Sequence, residues 1–469
     1  MMGNFSDKRE DGKEWLNRYE TMVANDEDLF FDQDAYDYII KHYLDLAEPA
    51  KALIACERAL RHFPFSTELL LNKAQVQIVS DQGNAALDTL LQAENLQCRD
   101  PEFYIIKSAA LGRLERHDDA IKLLQDNLDA FTEVDQYHFS FGACLQLAGR
   151  YKEAVRQYKK ALALNATNEE ALYELAFCLD LVGELDSAIS YYETYLDIDA
   201  FSAQAWHNLG VVHNKLGSFE KSVHALEYSV ALQDDFAIAW LNLGNAYMNL
   251  EKYPEAVNSF KAAAERDMNP DTMVCLGAAY EQQEQYDTAI VHYKAALKLD
   301  PSTEDGWYGI GVCLLEKEKY FESIHYFRKA IELNAKDEVF WLALASAEYE
   351  TGNMVSALEA YEEAANLSPT NPDVWLDWSY LYYDVGDYER AISLVTTGID
   401  EVPDDAELYY RAVAYMINAG HYTEALTYLE NALIIDFDTH EVLYEFFPDL
   451  EKQKAIFKMI DRFRHKNDN

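Results

Sequence analysis

The side chains that do chemistry are plentiful in this chain, but they are not spaced for it. Its twelve histidines are scattered, and no two stand four residues apart. A helical zinc site of the H-E-x-x-H kind is therefore missing, as are a phosphate-binding P-loop and a G-x-S-x-G nucleophile turn. Gly309-Ile-Gly311 supplies only the opening of a dinucleotide fingerprint. The 83 acidic residues are so dense that nearby carboxylate pairs carry no information about acid–base catalysis. Six cysteines occur without a C-x-x-C, and Cys144, Cys178 and Cys313 stand beside small or aliphatic residues. They read as packed, reduced thiols rather than bridges or metal ligands. No catalytic residue, cofactor site or metal site is nominated, and an enzyme is not expected.

Charge narrows the partners. The 469-residue chain carries 39 basic residues and a formal charge of −44. That field repels nucleic-acid phosphates, keeps the chain dissolved and attracts basic partners. The opening MMGNFSDKREDGKEW has no apolar signal-like stretch, and nowhere do about 18 apolar residues run together. No membrane association is expected, and a cytoplasmic location is.

What must position any site is a repeat. AWHNLG at Ala205 returns as AWLNLG at Ala239, 34 residues on. Extended both ways, the frame starts repeats at Gln33, Thr67, Pro101, Asp135, Glu169, Ala203, Ala237, Pro270, Glu304, Glu338, Pro372 and Ala406. Each is 34 residues long except Ala237–Asn269, which is 33. Position 20 is Ala in ten repeats and Ser222 or Ser323 in the other two. Position 8 is Gly142, Gly210, Gly244, Gly277 or Gly311, or Ala or Ser, with Ile40 and Val413 as exceptions. Position 4 is often Trp, and position 24 is often Tyr or Phe. Small side chains at fixed points let helices approach closely, and large ones fill the space between. Gly149, Gly183, Gly217, Gly352, Gly386 and Gly420 share position 15, where a left-handed residue ends a helix. The expected repeat is a pair of antiparallel helices, and stacking buries a stripe that one pair alone leaves exposed.

The residues Trp307, Ile310, Gly311, Tyr320, Ser323, Phe327 and Ala330 closely resemble the tetratricopeptide repeat signature. The resemblance implies an all-α fold, an α-solenoid in which about twelve hairpins coil into a right-handed superhelix. It implies an acidic N-terminal segment and cap over 1–32, twelve repeats over 33–439, and capping helices with a short basic tail over 440–469. Lys13–Ala24 should form a short capping helix, and a last helix should run from about Asp449 to Arg464. The Trp, Tyr and Ala positions are read as core.

Function follows from the resemblance only in outline. Such chains, multi-repeat scaffolds of the bacterial type among them, bind protein or peptide segments in a concave groove. The groove is lined by positions 2, 5, 6, 9, 12 and 13 of the first helix. Here those positions hold 17 acidic residues and four basic ones, Lys41, Arg113, Lys215 and Arg411. A partner bearing basic and apolar residues is expected. Phe139, Tyr173 and Phe177 would offer aromatic surface, and Asn208, Asn214, Asn242, Asn245 and Asn249 would offer amides that both donate to and accept from a peptide backbone. These Asn side chains are expected to matter little for folding. Lys is missing from position 5 in every repeat, which argues against the clamp by which chaperone-binding relatives hold an acidic tail. The alternatives are a nucleic-acid-binding helical repeat, disfavoured by the acidic groove, and a non-catalytic regulator of an enzyme.

Overall fold

A computed structural model describes residues 4–467 apart from 26, 28, 449, 451 and 452. Every regular element among the described residues is a helix. The chain divides into two compact units, 1–234 and 235–469.

The first unit opens with α1 (Asn4–Ala24), which begins nine residues before the short cap expected; within the expected span Tyr19 and Met22 bury against α2 (Gln33–Asp45) and α3 (Pro49–His62). Then come α4 (Thr67–Val79), α5 (Gly83–Asn95), α6 (Pro101–Arg113) and α7 (His117–Asn127). After these come α8 (Asp135–Leu147), α9 (Tyr151–Leu164), α10 (Glu169–Leu181), α11 (Ser187–Ile198), α12 (Ala203–Lys215) and α13 (Phe219–Leu232). The second unit holds α14 (Ala237–Asn249), α15 (Tyr253–Arg266), α16 (Pro270–Glu281), α17 (Tyr286–Leu299), α18 (Glu304–Glu316) and α19 (Tyr320–Leu333). It continues through α20 (Glu338–Glu350), α21 (Met354–Leu367), α22 (Pro372–Asp384), α23 (Tyr388–Glu401), α24 (Ala406–Ala419) and α25 (Tyr422–Ile435). It closes with α26 (Leu443–Phe446) and α27 (Lys454–Asn467). From α2 to α25 each even-numbered helix pairs with the next, and each hairpin packs on its neighbour within the unit. The architecture is an all-α solenoid.

Local chemistry starts and stops these helices. Most first helices are capped by side chains: Ser202 Oγ accepts from the Ala205 N–H at 3.1 Å, and Asn168 Oδ1 from the Ala171 N–H at 2.9 Å. Position 15 ends the first helix with positive φ in every repeat. The glycines read from the sequence do so, and so do Ala47, Asp81, Glu115, Glu251, Glu284 and Glu318, at φ 54–58°. The position 20 alanines are fully buried or nearly so.

The position 4 tryptophans have a second role beside packing. The indole N–H of Trp206, Trp307, Trp341 and Trp375 donates to the carbonyl six residues back, that of Ala200, Pro301, Ala335 and Pro369, at 2.8–3.0 Å. Each ties a hairpin to the loop that joins it to the one before. Of these four only Trp375 is buried; the others lie half-buried.

At the C-terminal end the last helix starts at Lys454, later than the sequence suggests. Leu450 lies ahead of it and packs with Ile456 and Ile460 against the α24–α25 hairpin. The side chains of His465 and Lys466, part of the basic tail, lie outside the described residues. Among the described residues no helix is long and apolar enough to cross a membrane. All six cysteines are free thiols.

Candidate functional site

Within each unit, first helices touch one another directly: α4 with α6, α6 with α8, α10 with α12, α16 with α18, α22 with α24. Their outward positions therefore form one continuous face per unit. In the first unit it carries two depressions.

One lies between α10 and α12. Tyr173, Phe177 and Asp180, spaced by four and three, share a face of α10. Asn208, Val211 and Lys215 face them from α12, and Tyr192 of α11 forms the floor. Tyr173 and Phe177 stay 52% and 44% exposed although both are large and apolar. The hollow measures about 120 Å³. That is below the ≈300–1,000 Å³ of small-molecule sites and suits a single side chain. Lys215 and Asp180 form an ion pair at its edge.

Asn208 lines this hollow but is only 7% exposed. Its Oδ1 accepts from Gln204 Nε2 at 3.0 Å and lies 3.1 Å from His207 Nδ1. Burial, then the neighbouring Tyr173 hydroxyl, push the Tyr192 hydroxyl's pKa up, and hydrogen bonding to Asn208 offsets part of this. Asn208 is thus a packed, bonded residue, and the expectation that it is idle in folding does not hold. The direct approach of α10 and α12 closes over position 6, which a single-helix reading leaves open.

The other depression, of about 520 Å³, lies between α6 and α8. Ile105, Phe139, Ala143 and Leu147 make its apolar wall, and Arg113 and His117 its polar edge. Phe139 is half-buried, its ring 5.8 Å from that of Tyr158. The sequence reading named Phe139 but not Ile105, Ala143 or Leu147. Their signal was present, since all sit at positions 5, 9 or 13 of the first helix.

Between the two depressions runs a polar chain. Tyr158 donates to Gln146 Oε1 at 2.7 Å, and Gln146 Nε2 donates to Glu174 Oε2 at 2.6 Å. It fixes one of the acidic residues of the face. Asn214 is half-buried on α12. Asn242, Asn245 and Asn249 belong to α14 in the second unit, Asn249 exposed and the other two half-buried. The five asparagines are thus divided between the units.

The second unit's face is acidic. Desolvation, then the neighbouring carboxylates Glu304, Asp337 and Asp271, hold Asp305 above the usual carboxylate range. Glu281 is also raised, first by burial; it accepts from the Tyr293 hydroxyl at 2.7 Å. Arg411 is tied to Glu407 at 3.1 Å and lies 5.1 Å from the Phe446 ring centre. Among the described residues no group of histidine, cysteine and acidic side chains could hold a metal.

Comparison with known families returns repeat models only. A tetratricopeptide repeat model matches residues 145–210 and 348–414. Others of the same description match 237–267, 318–372 and 203–236, and a TPR repeat model matches 277–317. Together they span 145–414 apart from 268–276. No curated protein matches the chain. Among solved structures it is similar to the APC/C hetero-tetramer Cut9–Hcn1, with 15% identity, 92% of this chain and 96% of that one covered, and a TM-score of 0.41. It is similar to YrrB, a TPR protein with an unusual peptide-binding site, at 20% identity, 38% and 93% coverage and TM-score 0.32. It is also similar to MamA, at 18%, 34% and 95%, and 0.32.

Proposed function

Because this chain belongs to the tetratricopeptide repeat proteins, we propose that it is a protein–protein interaction scaffold whose first-helix face is a groove for peptide or protein segments. Twelve repeats over 33–439, between the terminal caps, make up the scaffold. The observation that carries the reading is the hollow between α10 and α12. Tyr173 and Phe177 remain half-exposed at a cavity the size of one side chain, where burying them would otherwise favour folding. The partner supplies an apolar side chain there and Lys or Arg for the acidic positions around it. The role is binding rather than catalysis, and regulation of an enzyme by binding it falls within the reading. A cytoplasmic setting accords with six free thiols. Nucleic acid is a poor ligand for a face with 17 acidic and four basic groove positions.

The test is site-specific photo-crosslinking in whole cells, with a photoreactive phenylalanine replacing Phe177 in one chain and Val291, an exposed second-helix residue, in another. Crosslinks to a protein from position 177 and not from 291 support the groove. The reverse pattern overturns it. Affinity for the crosslinked partner should also fall with salt, since exposed charges are screened over about 8 Å at physiological strength.

A further inference from the structure

Four cations stand on the groove positions, and three of them are neutralised in place. Lys41 pairs with Asp37 at 2.8 Å, Lys215 pairs with Asp180, and Arg411 pairs with Glu407 at 3.1 Å. Arg113 alone has no carboxylate partner among the described residues, although the chain has more than twice as many acidic as basic residues. Its side chain is exposed at the rim of the α6–α8 depression. Below it lies an apolar wall of Ile105, Phe139, Ala143 and Leu147. Beside it, the buried Nδ1 of His117 has no hydrogen-bond partner. An unpaired guanidinium over an apolar hollow, next to a ring nitrogen without a partner, is complementary to a carboxylate carried beside a bulky apolar group.

We propose that this depression seats a Leu, Phe or Met side chain of the partner while Arg113 pairs with the side-chain carboxylate of an adjacent Asp or Glu. The inference rests on the first-helix face being the binding groove, and adds to it a register. Elsewhere on that face an acidic residue of the partner meets acidic positions, paired cations or uncharged surface. At Arg113 it meets, among the described groove positions, the one cation without a carboxylate partner. A single acidic residue in an otherwise basic segment then fixes where the segment lies, because misplacing it loses this pairing and, over the acidic repeats, sets carboxylate against carboxylate. The hollow, at about 520 Å³, has room for a large side chain and part of the chain that carries it.

The experiment pans displayed random peptides against the whole chain, then measures affinities of the selected peptides, made with amidated C-termini, for the parent, Arg113→Gln and Arg113→Glu. Selected peptides should carry Asp or Glu next to Leu, Phe or Met. Arg113→Gln should weaken them roughly ten- to a hundredfold, the range for one lost charge-assisted bond, with an unchanged melting temperature. Panning on Arg113→Glu should exchange the acidic residue for Lys or Arg. Selected peptides without an acidic residue, or affinities indifferent to Arg113→Gln, overturn the inference and leave the groove reading standing. Binding that appears only with a free C-terminal carboxylate overturns the side-chain assignment. If no peptide is selected at all, both readings fail.

Discussion

A β-carbon on Gly311 would lie 2.5 Å from Cε1 of Phe327, on the facing helix of the same hairpin. The relation recurs at Gly244 with Phe260 at 2.4 Å, at Gly277 with Tyr293 and Gly142 with Tyr158 at 2.7 Å, and at Gly210 with Leu226 at 2.6 Å. Where position 24 is the smaller Cys56, position 8 is Ile40, and both are fully buried. The two positions share one volume, so the size of one limits the size of the other, with Val413 opposite Leu429 as the intermediate case. This accounts for Ile40, which departs from the small residues at position 8.

Gly311→Ala is therefore expected to destabilise. Overpacking costs about 1–3 kcal/mol, set against a gain of about 1 kcal/mol in helix propensity. Phe327→Cys, which copies the pairing of Ile40 with Cys56, should relieve the clash. A double-mutant cycle by urea denaturation should give a coupling of about 0.5–3 kcal/mol. Additive effects would show that the ring moves aside freely.

Glu284→Gly should stabilise. Glu284 holds φ 57° at a helix end, a conformation that costs an L-residue about 1–2 kcal/mol. Glycine adds about 0.5–1 kcal/mol of chain entropy to the cost of folding, so a net gain of up to about 1.5 kcal/mol is expected. Gly386→Ala is the converse. Nothing lies within 4 Å of a β-carbon there and φ is 79°, so its loss is purely conformational. Thermal melts moving in the same direction for both variants would refute the account.

Asn208→Ala should lower stability by about 1–3 kcal/mol, since it strips a hydrogen-bond partner from the buried His207 and Tyr192. An unchanged melt would mean that the contacts with Gln204 and His207 hold nothing.

Glu281→Gln should change stability in a pH-dependent way. Burial raises the carboxyl's pKa above its ordinary value of about 4.5, so the folded protein holds that proton more tightly than the unfolded chain does. Stability from this group falls as pH rises from that ordinary value through the raised one, and stays lower at neutral pH. The glutamine variant, always neutral, should melt higher than the parent near neutrality. The difference should shrink as pH falls toward about 4. A difference that grows on acidification would refute the sign.

The sequence by itself determined the helical hairpins, the small and large positions within them, and the acidity of the first-helix face. Those follow from periodicity along one chain, where spacing alone decides which side chains share a helix face. It also marked the left-handed turn wherever glycine stands at position 15. It could not mark Ala47, Glu251 or Glu318, whose φ is held positive by the hairpin packed around them rather than by their own preference. The i,i+4 pairs Asp37–Lys41 and Glu407–Arg411 are legible in the sequence, but it could not tell Asn208 from an exposed amide, or Arg113 from Lys215, whose partner Asp180 lies on the preceding repeat. Burial, and pairing between helices, depend on what the neighbouring repeat brings within reach. That neighbour stands about 34 residues away in sequence, and only the stacking of one hairpin on the next brings it into contact.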